Sequence, residues 1–161
     1  QEEVEQICRL SGSEIANINS DRQIVLAGTK PAIAKAVEIA KELRTKIVDL
    51  GIGVGSHFSG AAPVAKKLAL VLEHVDVKPP KIPFIANATA DYITTASQVK
   101  DSLVRHLTSR VRWLEMVIKM IQELISFSDP PLQRRQQTLF SITTHQKRLT
   151  IFQPIGQTER V

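Results

Sequence analysis

Cysteine is almost missing from this chain: Cys8 is the only one. A lone cysteine excludes an intramolecular disulfide and any cysteine-rich metal site, and it reads as a small apolar residue on a helix. Aromatic residues are scarce at 4 %, with one Trp113 and one Tyr92, so the core has to be built from Ile, Val, Leu and Ala. No apolar run approaches the roughly 18 residues of a membrane span. A reducing, cytoplasmic setting is the expectation. The chain has no Gly-x-Ser-x-Gly nucleophile elbow and no phosphate-binding P-loop. Its four histidines, His57, His74, His106 and His145, show no close metal-ligand spacing, which argues against a zinc site. No metal and no cofactor is expected.

The 161 residues are 43 % hydrophobic and 23 % charged, values of a globular protein with one domain or two small subdomains. The net charge is +5. Much of it sits after residue 124, where Arg134, Arg135, Lys147, Arg148 and Arg160 face only Asp129 and Glu159. So modest an excess reads as a solvated surface.

Glu2–Leu10 places Val4, Ile7, Cys8 and Leu10 on one face of a short amphipathic helix. Glu14–Ile18 and Gln23–Ala27 read as two strands joined by the turn-formers Asn19-Ser20-Asp21-Arg22, a hairpin. Thr29 caps the next helix, with Pro31 in its first turn. Ile33, Val37, Ala40 and Leu43 recur at helical spacing, and Lys46–Leu50 is the following strand. Helix, strand, strand, helix, strand is a βαββαβ unit of the ferredoxin-like kind lacking its first strand. The absent strand, and a helix beginning at once after Gln1, suggest a chain that starts in the middle of something larger.

Val64, Leu68, Val71 or Leu72, and Val75 mark a further helix. Pro83 precedes a short strand, Phe84-Ile85-Ala86, and Asn87–Thr95 is loop-like. Ser97 is the expected cap of a helix carrying Val99, Leu103 and Leu107. Val111, Leu114, Val117, Ile118, Ile121 and Leu124 form a strongly amphipathic last helix. Beyond it the pattern decays, with short strands expected at Phe140–Thr143 and Leu149–Gln153 in a poorly ordered or poorly packed tail.

The richest stretch is Asp49 to Val64. The apolar run Ile47-Val48-Asp49-Leu50 leads into Gly51, Gly53 and Gly55, then Ser56-His57-Phe58-Ser59-Gly60, then a helix. The alternate glycines do not match Gly-x-Gly-x-x-Gly, because Ser and Phe stand at positions 56 and 58. They let a strand end lie close to another backbone. His57 sits at the crest of this loop. On spacing alone a single loop histidine is a surface or structural residue. Likewise Asn17 and Asn19 read as turn-formers, and Asn87 and Val111-Arg112-Trp113 as packing and capping residues.

Four segments, in order, change the weight of His57. Glu14-Ile-Ala-Asn-Ile-Asn-Ser-Asp-Arg-Gln-Ile-Val-Leu-Ala-Gly28 resembles the Asn-x-Asn-Ser-x-x-Gln-x-Val-x-x-Gly segment of malonyl-CoA:acyl carrier protein transacylases. Ser56-His57, followed by a helix of the form Pro63-x-Ala-x-Lys-Leu68, is similar as well. So is Lys81-Ile-Pro-Phe-Ile-Ala-Asn-Ala-Thr-Ala90. Leu103-Val-Arg-His-Leu-Thr-Ser-Arg-Val-Arg-Trp113 resembles Leu-Val-Arg-Gln-Leu-x-x-Pro-Val-Arg-Trp. The resemblance runs from about Glu2 to Glu123 and corresponds to the later, C-terminal part of the family.

The resemblance implies an α/β (α+β) fold: residues 1–55 as the partial ferredoxin-like small subdomain, 56–124 as the C-terminal portion of an α/β-hydrolase-like acyltransferase subdomain, and 125–161 as a divergent tail. It implies a serine acyltransferase that moves a malonyl group from CoA to the acyl carrier protein through a Ser–His pair. His57 matches the family's general base. The main-chain carbonyl of His106, where the family has glutamine, matches the group that orients it. Asn17 falls on a position near the acyl pocket. The family's nucleophile elbow, oxyanion loop and malonyl-pairing arginine lie upstream of the matching region. The chain is therefore expected to be inactive alone, with malonyl-CoA, the acyl carrier protein and a missing N-terminal half as its partners. A Glu-x-Gly-Pro-Gly turn that the family has after the last helix has no counterpart in Ser126–Ser141, as a shifted reading frame would give. The competing expectations are a non-catalytic module that binds the acidic carrier protein and a degenerate fragment that folds poorly. RNA is disfavoured, because the three strands of the small subdomain carry no stacking aromatics.

Overall fold

The computed structural model of the chain describes residues 1–51, 55–82, 84–126 and 148–151. Its first helix, α1, runs over Glu2–Ser11 and ends at Gly12, whose φ of 76° is the left-handed turn that closes a helix. Strands β1 (Glu14–Ile18) and β2 (Gln23–Ala27) pair antiparallel, as the hairpin pattern requires. The pairing slips between Ile15 and Asn17. Helix α2 (Lys30–Glu42) starts where Thr29 accepts the Ala32 amide, with a proline in its first turn. Strand β3 is shorter than the apolar run suggests, only Ile47–Asp49.

These elements enclose one aliphatic core. Ile7 from α1, Leu26 from β2 and Ile33 from α2 are fully buried, with Val4, Ile18 and Ile24 around them. Alternation along β2 serves two faces. Ile24 and Leu26 enter this core, whereas Val25 and Ala27 join Ala16 in a second cluster, against which Phe58 packs.

Of the later residues, Phe58 packs on the second cluster and Leu114 on the first. A single 3-10 turn, Ser59–Ala61, leads into α3 (Ala62–Glu73). Strands β4 (Phe84–Ile85) and β5 (Tyr92–Ile93) form a two-stranded antiparallel ribbon. The stretch expected to be loop between Asn87 and Thr95 thus contains a strand. Helix α4 spans Ala96–Thr108 and packs on α3. Its cap is Thr95 rather than the expected Ser97: Gln98 lies three residues on, and the two side chains complete a reciprocal capping box. Helix α5 is Trp113–Ser126.

The two halves are tied by Val111. Its amide donates to Ala16 O at 2.7 Å and its carbonyl accepts from Ile18 N at 3.2 Å. This short parallel bridge occupies the free edge of β1 and fixes the end of α4 against the sheet. The last described strand, β6 (Arg148–Ile151), lies between β2 and β3 and runs parallel to both, giving the order β1-β2-β6-β3. It overlaps the strand expected at Leu149–Gln153. The strand expected at Phe140–Thr143 lies outside the described residues.

Candidate functional site

His57 is held in an unusual backbone conformation, with φ at 64°. For a residue with a Cβ this region costs about 1–2 kcal/mol, so neighbouring contacts have to impose it. They come from the end of α4. A helix leaves its last carbonyls without intrahelical partners. The His57 amide donates to Leu107 O at 2.9 Å, and Nδ1 of its ring lies 2.7 Å from His106 O. One residue thereby caps two carbonyls of the same helix terminus.

The loop is anchored from the other side as well. Phe58 lies on the Ala16–Val25–Ala27 cluster. Gly60 permits this, because a Cβ there would run into the Phe58 ring. The carboxylate of Glu14 at the start of β1 accepts from the Ser59 amide at 3.1 Å and from the Ser59 hydroxyl. The local pattern marks Glu14 only as a strand residue. Its role depends on a partner 45 residues away.

A carbonyl oxygen can only accept, so Nδ1 of His57 carries the proton of the bond to His106 O. In the neutral ring Nε2 then holds the lone pair. This tautomer is the one a general base needs. His57 opens on a cleft of about 500 Å³ whose walls include Cys8, Arg9, Glu14, Thr108 and Arg110. Burial pushes the Cys8 thiol up from its ordinary value, so this cysteine is a neutral thiol rather than an activated nucleophile.

The ring of His106 stands edge-on to that of His57, with centroids 4.5 Å apart and planes at 87°. Asn87 also reaches His106, its Nδ2 3.4 Å from Nδ1. Burial first, and the charge of His57 second, hold His106 below the ordinary histidine value of 6.5. A folded value below the unfolded one means that the unfolded chain binds more protons between them, so stability rises with pH there. The contribution of His106 is present above about pH 6.5 and is lost as pH falls through the folded value. The urea midpoint of the wild type should therefore fall as pH is lowered from about 7 through the folded value, and His106→Gln should flatten that dependence. An equal pH dependence in both proteins would contradict this assignment.

Asn17 sits apart from this cluster. It lies on β1 beside the Val111 bridge and does not line the cleft, and its Oδ1 is buried without a hydrogen-bond partner. Among the described residues no group of three or more His, Cys, Asp or Glu side chains could hold a metal ion. No described helix is long and apolar enough to cross a membrane.

No family model matches the chain. Individual relatives do. A malonyl CoA-acyl carrier protein transacylase of Haemophilus influenzae is 37 % identical over 108 residues, 66 % of this chain and 35 % of that protein. The crystal structure of an acyl-carrier-protein S-malonyltransferase from Burkholderia pseudomallei is 36 % identical, with a TM-score of 0.72 over 76 % of this chain and 42 % of that one. A malonyl-transacylase solved in complex with its type II PKS acyl-carrier protein is 25 % identical, with a TM-score of 0.71 over 97 % of this chain and 52 % of that one. The chain spans about a third of the length of the curated relatives it matches. Within that span, a mixed α/β fold and a sequence identity above a third together establish that this chain is homologous to the malonyl-CoA:acyl carrier protein transacylases.

Proposed function

We propose that His57 is the general base of a malonyl-CoA:acyl carrier protein transacylase, and that this chain supplies the base while another segment or polypeptide supplies the nucleophile. The observation that carries this reading is the 2.7 Å approach of His57 Nδ1 to His106 O, which leaves Nε2 as the basic nitrogen of a ring on the cleft. In the first half-reaction Nε2 takes the hydroxyl proton of the serine as its oxygen attacks the malonyl thioester. The same proton then goes to the departing CoA thiolate. In the second half Nε2 deprotonates the carrier protein's thiol and returns the proton to the serine oxygen. Malonyl-CoA is the donor, the acyl carrier protein the acceptor, and no further cofactor enters.

The sequence holds no Gly-x-Ser-x-Gly, and a base without a nucleophile and oxyanion donors cannot run acyl transfer. Apolar exposure supports a missing contact. Val64, Leu70 and Val71 on α3 and Leu124 on α5 are each more than half exposed, more than scattered surface residues require. We assign α1, β1, β2, α2 and β3 to a ferredoxin-like small subdomain and α3 to α5 to the large one, with Asn17 at their junction, toward the acyl pocket.

The purified chain incubated with malonyl-CoA and acyl carrier protein should form neither malonyl-carrier nor acyl-enzyme. Adding a polypeptide with the serine-bearing part of a related transacylase should restore transfer. Turnover by the chain alone, or a stable complex of the two parts that stays inactive, would refute the proposal. Salt-dependent carrier binding by such an inactive complex would instead identify a carrier-binding module.

A further inference from the structure

We infer that Asn87 is a positioning residue for His57, acting through the imidazole side chain of His106. The inference extends the proposed role of His57 and rests on it for its catalytic meaning, but its geometry stands on the chain itself.

His106 meets His57 twice. Its main-chain oxygen takes the Nδ1 proton, and its ring stands edge-on against the His57 ring. The carbonyl fixes one atom of His57. The ring adds a second point of contact, because the two imidazoles already stand edge to face at 4.5 Å between centroids. That constraint works only while His106 itself is fixed.

Asn87 fixes it. An amide nitrogen only donates, so the contact from Asn87 Nδ2 makes Nδ1 of His106 an acceptor and leaves the His106 proton on Nε2. The two histidines are thus in opposite tautomers, His57 protonated at Nδ1 and His106 at Nε2. A donor at Nδ1 also requires that nitrogen to be unprotonated, so it selects the neutral form of His106. A neutral His106 puts no like charge beside His57 at the moment that ring accepts a proton.

Asn87 is in turn held rigidly. The Arg112 amide donates to Asn87 O at 2.9 Å, and the Arg112 guanidinium donates from Nη1 to Thr89 O at 2.7 Å. Glu115 accepts from Nε of the same guanidinium at 2.8 Å. Within the turn, Ala90 N donates to Ala86 O and Ala86 N to Asp91 O, both at 2.8 Å. Lys119 adds an ion pair to Asp91. The clamp comes from the segment between α4 and α5, so one side chain, Arg112, ties the turn that orients the ring that orients the base.

Imidazole nitrogen spectra of the isotope-labelled full chain test this without substrate. At pH well above the titration of either ring, the wild type should show His106 protonated at Nε2 and His57 at Nδ1, with resonances assigned through His57→Asn and His106→Gln. Asn87→Ala should leave His106 in a mixture of tautomers. Asn87→Asp should invert it, since a carboxylate accepts where the amide donates. Backbone amide spectra establish that the variants remain folded. A wild-type His106 protonated at Nδ1 overturns the inference with no variant needed, and so does an unchanged His106 tautomer in folded Asn87→Asp. Failure of the reconstituted enzyme to depend on His57 would leave these spectra untouched, so the two proposals fail separately.

Discussion

His57→Asn should lower malonyl transfer by the reconstituted pair about 10²–10⁴-fold, the range that general base catalysis supplies. Asparagine is the informative replacement for two reasons. It tolerates the left-handed backbone that His57 adopts at φ 64° better than most residues. Its Nδ2 also stands near the position of Nδ1 and can donate to His106 O, which keeps the loop closed on the end of α4. What asparagine lacks is a basic nitrogen in place of Nε2. The loss should therefore appear in the rate of CoA thiol release while affinity for the carrier protein and unfolding midpoint stay near wild type. A loss smaller than tenfold would assign the proton to another group. A loss of the same size with a collapsed unfolding midpoint would mean that His57 holds the loop and not the proton.

Local pattern made most elements of the small unit legible. Thr29, followed by Pro31, names the start of α2, and the hairpin of β1 and β2 follows from alternation around Asn19–Arg22. The start of α4 was equally present in the residues: Thr95 and Gln98 form a capping box, and Ser97 is inside the helix because a cap has to lie before the first turn. Contacts between distant residues were not legible in this way. Val111 pairs with β1 across more than ninety positions, and Asn87 meets His106 from a turn that reads as plain loop. No periodicity encodes either, because periodicity reports which face a residue occupies and not what it faces. Proximity of His57 and His106, 49 residues apart, was expected only through the family resemblance. The position of β6 is the same kind of fact. Four residues can mark a strand, but the slot between β2 and β3 is decided by the parallel crossover of α2, which leaves room for one strand there.

Leu26→Ala should destabilise the fold by about 3 kcal/mol, within the range of about 2–5 for buried leucines. Leu26 is 0 % exposed and sits among Val4, Ile7, Ile18, Ile24 and Ile33, contributed by α1, β1, β2 and α2. Those neighbours cannot close the hole independently, because the backbone of β2 is held by β1 on one side and β6 on the other. A core this poor in aromatics has no large flexible ring to swing into the space. Against a typical domain stability of about 5–15 kcal/mol, the loss should move the urea midpoint sharply with little change in slope. Leu70→Ala on α3, at a residue 61 % exposed, is the matched control, expected within about 0.5 kcal/mol in the isolated chain. A Leu26→Ala cost below about 1 kcal/mol would mean that the layer over β2 repacks freely. That outcome would reach the site too. Val25 and Ala27, on the opposite face of the same strand, form with Ala16 the floor under Phe58, so a strand able to shift toward an emptied core would carry the neighbour of His57 with it.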